Sequence, residues 1–159
     1  MVELEQLNAH NEEQLLRIDR TGILEKFVEP VADTIALAKY GMEQGLEGFC
    51  FAIRQNGAYV GILLAGQALD DPADPEEIRG TRFFRILGFV IDRRYQGRGI
   101  GSEALKLAVK RVRETYGNVP FLLECDKDNH AARRFYEKNG FVSMGLSSPD
   151  NTDDFLILR

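Results

Sequence analysis

The sequence predicts a mixed α/β domain: six to seven strands, partly antiparallel and partly parallel, flanked by about four helices. Three observations carry this. Asn56-Gly57 lies between the apolar runs "GFCFAIRQ" and "AYVGILLAGQ", the pattern of a two-residue hairpin and hence of antiparallel pairing. The apolar run "RFFRILGFVI" (82–91), a helical pattern from Ile100 to Tyr116 and the run "VPFLLEC" (119–125) form a strand–helix–strand unit. Its crossover makes the two strands parallel. No repeat, low-complexity segment or linker divides the 159 residues, so 1–159 reads as a single domain.

Taken in order, residues 2–7 (VELEQL) alternate apolar and polar, as a short strand does. Residues 11–19 (NEEQLLRID) predict a helix with Asn11 as its cap. A second helix falls within "EPVADTIALAKYGMEQG", with Pro30 near its start and Gly45 just past its end. The hairpin follows, and then "ALDDPADPEEIRG", acidic and with two prolines, which predicts a long exposed loop. Gly88 inside the next strand marks a bulge. The helix from Ile100 stops at Gly117, a buried strand follows, and residues 129–139 form a helix stopped by Asn139-Gly140. Two strands, "FVSMGL" and "DFLILR", close the chain. The order β-α-α-β-β-β-α-β-α-β-β does not fit a purely doubly wound sheet.

Composition narrows the partners. Apolar residues are 44% and charged residues 28%, with a net charge of −5 and a pI near 5.1. No overall field favours nucleic acid or an anionic membrane, and the sign suits a cationic ligand. "MVELEQLNAHNEEQ" has no apolar signal-peptide core, and no stretch approaches the roughly 18 apolar residues of a spanning helix. A cytoplasmic protein is expected. Cys50 and Cys125 sit in strand-like runs and read as buried free thiols rather than a disulfide. His10 and His130 form no cluster with cysteines or acids at ligand spacing, so no metal is inferred.

The stretch "RRYQGRGIGS" (93–102) places three glycines between a strand and a helix. A helix N-terminus presents unpaired N–H groups and the positive end of its dipole, and glycines let a ligand approach the backbone. The loop therefore suits a phosphate or pyrophosphate, with Arg98 adding charge and Ser102 a first-turn hydroxyl. The alternative is a tight turn with Arg98 merely solvated. A nucleotide P-loop would need a lysine that is missing, and a dinucleotide fingerprint would need glycine where Ser102 stands.

Read as Gln96-x-x-Gly99-x-Gly101 after "FVID", and joined to "LLECDKDNHAARRFYEKNGF" (122–141), the pattern resembles the GNAT superfamily of acetyl-CoA-dependent N-acetyltransferases. The element order agrees over essentially the whole chain. The resemblance implies a GNAT-type fold whose sheet splays between strands 4 and 5. It implies that the backbone of Phe89, Val90 and Ile91 meets the pantetheine arm and thioester, one N–H serving as oxyanion hole. The pyrophosphate would lie on Gln96, Gly97, Arg98, Gly99, Ile100, Gly101 and Ser102. Asn129 would hold the cofactor arm, Tyr136 would protonate the departing thiolate, and Glu124 would act as base on the amine. Each has a plainer reading: Asn129 a helix cap, Tyr136 a core aromatic beside Phe135, Glu124 a carboxylate satisfied by an arginine or by backbone.

The implied activity is direct acetyl transfer from acetyl-CoA to a primary amine, on a cationic small molecule such as a polyamine. Alternatives are a peptide N-terminus, an amino acid, or a non-catalytic acyl-CoA-binding domain. Glu25, Glu29, Asp33, Asp150, Asp153 and Asp154 are expected to rim the acceptor side. Several polyamine-acetylating relatives carry an acid on the bulged strand; here that strand holds Arg85, which reads as a sheet-edge or surface arginine. Dimers are common in the family, and "DFLILR" is apolar enough to pair with a second copy.

Overall fold

A computed structural model describes residues 1–159. In chain order its elements are β1 (Val2–Gln6), α1 (Ala9–Leu15), α2 (Val31–Glu43), β2 (Gly48–Gln55), β3 (Ala58–Gln67), β4 (Phe84–Ile91), α3 (Ile100–Tyr116), β5 (Phe121–Asp126), α4 (His130–Lys138), β6 (Val142–Ser147) and β7 (Asp153–Leu158). The seven strands form one sheet in the order β1-β2-β3-β4-β5-β7-β6, in which only β4 and β5 run parallel. The fold class and element order match the expectation from sequence.

Alternation along the strands divides the core between two faces. Phe51, Ile53, Phe84, Ile86 and Phe121 point to one side, where Ile100, Ala104, Leu105, Ala108 and Val112 of α3 cover them. Cys50, Ala52, Ile62, Leu64 and Val90 point to the other, against Leu15 of α1 and Val31, Ile35 and Ala38 of α2. Each fully buried Phe, Leu or Ile contributes about 1.5–3 kcal/mol of transfer free energy, so the two layers are held mainly by these contacts. Both cysteines are buried free thiols, as expected.

The hairpin turns at Asn56 and Gly57, both at positive φ (50° and 83°), as a type I′ turn requires. α3 spans Ile100–Tyr116 and stops at Gly117, again as read from the pattern. Three local expectations need correction. The cap of α1 is Asn8, not Asn11: Asn8 accepts from the Asn11 amide (2.9 Å) while the Asn11 side chain accepts from the Asn8 amide (2.8 Å). Two asparagines three apart form this reciprocal box, so the helix opens two residues earlier than predicted and ends at Leu15. The loop expected over residues 68–80 is not wholly exposed either, and β4 begins at Phe84 rather than at Arg82. Ile78 and Phe83 are buried against Leu122, Phe155 and Ile157, and Asp74 is buried as well. A single 3-10 turn at Arg93–Tyr95, unread in the sequence, links β4 to the glycine loop.

Candidate functional site

The site begins where the sheet opens. β4 and β5 pair only at Phe84 with Phe121 and at Arg85 with Leu122, so Ile86 to Ile91 have no partner on that edge. The cause lies in β4 itself. Its register against β3 shifts between Ile62 (opposite Val90) and Leu64 (opposite Leu87), leaving Gly88 and Phe89 across from the single residue Leu63. Gly88 sits at φ 60°, and a Cβ there would stand 2.3 Å from Thr34 Oγ1 of α2. Only glycine permits both the backbone conformation and this approach. Meanwhile β5 is fully paired with β7 on its other side, from Phe121–Leu158 to Asp126–Asp153, and does not follow β4. On the α4 face Phe89 meets Phe135 edge-on, centroids 5.8 Å apart.

At the end of β4, Asp92 ties down the strand. It is buried and accepts from the amides of Asp19 and Arg94 (both 2.9 Å) and from Arg94 Nε (3.0 Å) and Nη2 (2.8 Å). The Arg94 side chain is the largest influence holding its carboxyl down at about 2, against the opposing effect of burial. Gln96 turns back, its Nε2 donating to Ile91 O at 2.8 Å. Beyond it, the next backbone donor among the loop and cap hydrogen bonds is Glu103, to Gly99 O at 3.2 Å. The amides of residues 97–102 thus stand together at the N-terminus of a 17-residue helix without loop or cap acceptors. Gly97 and Gly99 lie at φ 75° and 78° with open space where a Cβ would be, and Arg98 rests over the Tyr95 ring at 5.4 Å.

α4 stands beside this loop. Asn129 caps it, its Oδ1 accepting from the Ala132 amide at 3.2 Å, so the plain reading of Asn129 holds in this structure. Asn139 Nδ2 donates to Ser102 Oγ (3.1 Å) and to Phe135 O (2.8 Å), joining the end of α4 to the start of α3. Gly101 packs at this junction, where a Cβ would make ordinary contact with the Phe135 ring at 3.4 Å. Tyr136 packs between Phe135 and Phe141 at 5.2 and 5.4 Å between centroids. Burial pushes its phenol above the ordinary value, and the nearby Cys125 thiol acts in the same direction, so it stays protonated at neutral pH.

On the opposite face of the sheet lies a cavity of about 460 Å³, between α2, β2, β3 and the parted strands. Its walls are mostly apolar, among them Leu37, Phe49, Leu64 and Leu87, while Glu47, Asp70, Asp71, Arg85 and Glu124 supply its charges. Glu124 stands on β5 between buried Leu123 and Cys125, with its side chain open to the cavity. The surrounding protein displaces water and raises its pKa; Arg85 pulls back down, while Asp153, Asp74 and Asp71 push up. Among the side-chain hydrogen bonds and ion pairs, Glu47 is paired with Arg82 and Arg85 with Asp74.

Residues 14–141 match the model of the Acetyltransferase (GNAT) family. The chain belongs to this family. A stretch of 57 residues is 38% identical to the spermine/spermidine N(1)-acetyltransferase of Bacillus subtilis (strain 168), covering 36% of this chain and 38% of that protein. The match thus spans under two fifths of the relative's length. Among solved structures, aminoglycoside acetyltransferase AAC(6')-Ib with coenzyme A superposes with a TM-score of 0.77, at 19% identity over 99% of this chain and 94% of that one. PaiA N-acetyltransferase of Thermoplasma acidophilum with coenzyme A gives 0.72, at 16% identity over 100% and 99%. Identities this low speak to the fold.

GNAT enzymes draw their acetyl group from acetyl-CoA, and the residues of this chain fit that donor. Six successive amides, two glycines with nothing over them and Arg98 could receive an anion, next to a strand edge that no neighbouring strand pairs. The GNAT loop, Phe89, Val90, Ile91, Asn129 and Tyr136 gather around the opened strands and α4, and Glu124 faces the cavity. The six acids expected on the acceptor rim do not line that cavity. Asp154 binds Arg133 (3.0 Å), Asp150 closes the turn with Ser148 and Thr152, and Asp153 is the one of the six among the main influences on Glu124. Arg85 is not a sheet-edge or surface residue: β4 is flanked by β3 and β5, and the side chain is only 16% exposed. Asp70, Asp71 and Glu47 were missed because a polar loop and a helix–strand junction give no periodic signal. The acidic run "LDDPADPEE" was the available clue.

Proposed function

We propose that this GNAT chain moves the acetyl group of acetyl-CoA to a primary amine on a cationic small molecule such as a polyamine, by direct attack with both substrates bound. The observation that carries this reading is Glu124: a carboxylate open to a mostly apolar cavity, with Asp70 and Asp71 nearby, beside the parted strands. An ammonium group entering such a cavity meets net negative charge, and apolar walls suit the methylene segments between its nitrogens. The similarity to a spermine/spermidine acetyltransferase supports the same choice.

Acetyl-CoA supplies an activated thioester; the chain's own groups supply the rest. The amides of Gly97 to Ser102 and the guanidinium of Arg98 hold its phosphates, and the edge of Phe89, Val90 and Ile91, left without a paired strand, aligns its arm. Asn129 adds a side-chain contact through the Nδ2 its cap leaves free. A backbone N–H of the bulge stabilises the developing oxyanion. Glu124, with a pKa raised by its surroundings, takes the proton from the ammonium, directly or through water. Tyr136, protonated at neutral pH, returns a proton to the thiolate. Holding amine and thioester together in the opening provides most of the rate. An amino-acid acceptor would need a free cation for its carboxylate, and the arginine on this cavity is already engaged by Asp74.

The test is release of CoA thiol over a panel of spermidine, an aminoglycoside, an amino acid and a short peptide. Saturable release dependent on the polyamine is expected. Acetyl-CoA binding without acceptor-dependent thiol would instead make the chain a binding domain, and release with the peptide alone would move the acceptor to protein N-termini.

A further inference from the structure

The cavity contains a charge arrangement that the transfer reaction does not by itself require. Arg85 and Glu124 lie on adjacent strands, on the same face of the sheet, and both line the cavity. Arg85 pairs with Leu122, two residues before Glu124, so a guanidinium and a carboxylate share one small space. Left to itself, such a pair closes into a salt bridge. It does not here. One guanidinium nitrogen of Arg85 donates to both carboxylate oxygens of Asp74, at 3.0 and 2.8 Å, and Asp74 is only 5% exposed. Asp74 comes from the 68–83 segment, which Ile78 and Phe83 pin against β5 and β7. The buried carboxylate is therefore delivered to Arg85 by a packed loop.

We propose that Asp74 is a positioning residue: by holding Arg85 it keeps Glu124 unpaired and available to accept the proton of the incoming amine. The proposal rests on the acetyl-transfer reading of the site above. A Glu124 paired to Arg85 would be a weaker base and would no longer present an open carboxylate to a cation. The charged groups around Glu124 are Arg85 on β4, Asp153 on β7, Asp70, Asp71 and Asp74 in the 68–83 segment, and Glu47 across the cavity, of which Arg85, Asp153, Asp74 and Asp71 act on it most. Of these only Arg85 favours its ionised form. Asp74 opposes that pull both by its own charge and by holding the guanidinium.

The test uses the whole chain, with spermidine as acceptor, and compares Asp74→Asn, Arg85→Gln and the double variant. Asp74→Asn frees Arg85. The acid limb of the kcat/KM profile then moves to lower pH, and kcat/KM at neutral pH falls about threefold or more through loss of base strength. Arg85→Gln moves the limb to higher pH, and the double variant returns toward the wild-type profile. A merely structural role would lower Tm while leaving the limb in place; that result, in a wild type that is active, overturns the proposal. The carboxyl carbon of Glu124, titrated by NMR in the same variants, gives a reading independent of turnover. If spermidine is not acetylated the functional reading fails, and this titration still decides whether Asp74 controls Glu124. Should Asp74→Asn unfold, Arg85→Gln decides alone, an unmoved Glu124 titration refuting the proposal.

Discussion

Gly88→Ala probes the device that opens the sheet. The new methyl would stand 2.3 and 2.4 Å from Thr34 Oγ1 and Cγ2, and Thr34 is fully buried in α2 and cannot swing away. Overpacking of this kind costs about 1–3 kcal/mol. An alanine held at φ 60° adds about 1–2 kcal/mol of backbone strain, for a total of about 2–5 kcal/mol. Urea unfolding followed by circular dichroism reads this as a lower midpoint at unchanged slope. A double-mutant cycle with Thr34→Ala removes the two nearest atoms of the clash, leaving the strain and the milder contact with Cβ at 2.8 Å. The double variant should be more stable than the sum of the singles by about 1–2 kcal/mol, well beyond the scatter of independent sites. Additive losses would refute the contact between α2 and the bulge, and an unperturbed Gly88→Ala protein would refute the strain as well.

Three further outcomes are expected. Asp92→Asn, which removes a buried charge from two backbone and two guanidinium hydrogen bonds, should lower stability by about 2–3 kcal/mol in the same denaturation assay. Because the folded Asp92 carboxyl lies at about 2, below its unfolded value, its stabilisation is complete above about pH 4 and fades as pH falls toward 2. The Asn variant should lose that part of the acid transition. Tyr136→Phe should lower kcat about 10- to 100-fold while the KM for acetyl-CoA changes little; an unchanged kcat removes the phenol from the reaction. Arg98→Ala, altering an exposed side chain, should weaken acetyl-CoA binding several-fold by calorimetry and shift stability by no more than about 0.5 kcal/mol.

Local rules made much of this molecule legible before its structure. Asn56-Gly57 turns where two strands must twist together, and α3 starts and stops where Gly99 and Gly117 allow. Gly88 marked a bulge because glycine inside an apolar strand weakens it unless a bulge, bend or close approach requires it. The glycine loop and the residues of α4 were readable as a linked pattern. What escaped was long-range or degenerate. Asn8 and Asn11 are equivalent cap candidates until their mutual hydrogen bonds decide. Arg85 looked peripheral because its partner, Asp74, is 11 residues away in a segment whose acids suggested solvent. The cavity draws Glu47, Asp70 and Asp71 from junctions without hydrophobic period, and the acidic run around residues 70–77 did not by itself stand out from the acids near residues 25–33 and 150–154.

Direct transfer in a complex of both substrates predicts where the acetyl group travels. Both thiols of the chain are buried and desolvation pushes them up, Cys50 to about 12 and Cys125 to about 11, which disfavours the thiolate that an acetyl carrier would need at neutral pH. The decisive measurement supplies acetyl-CoA with an isotopically labelled acetyl group, together with spermidine, and locates the label by mass spectrometry during and after turnover. The account predicts label on a primary nitrogen of the amine and none on the protein at any time. Label held covalently by the chain, or appearing only as free acetate, would contradict it.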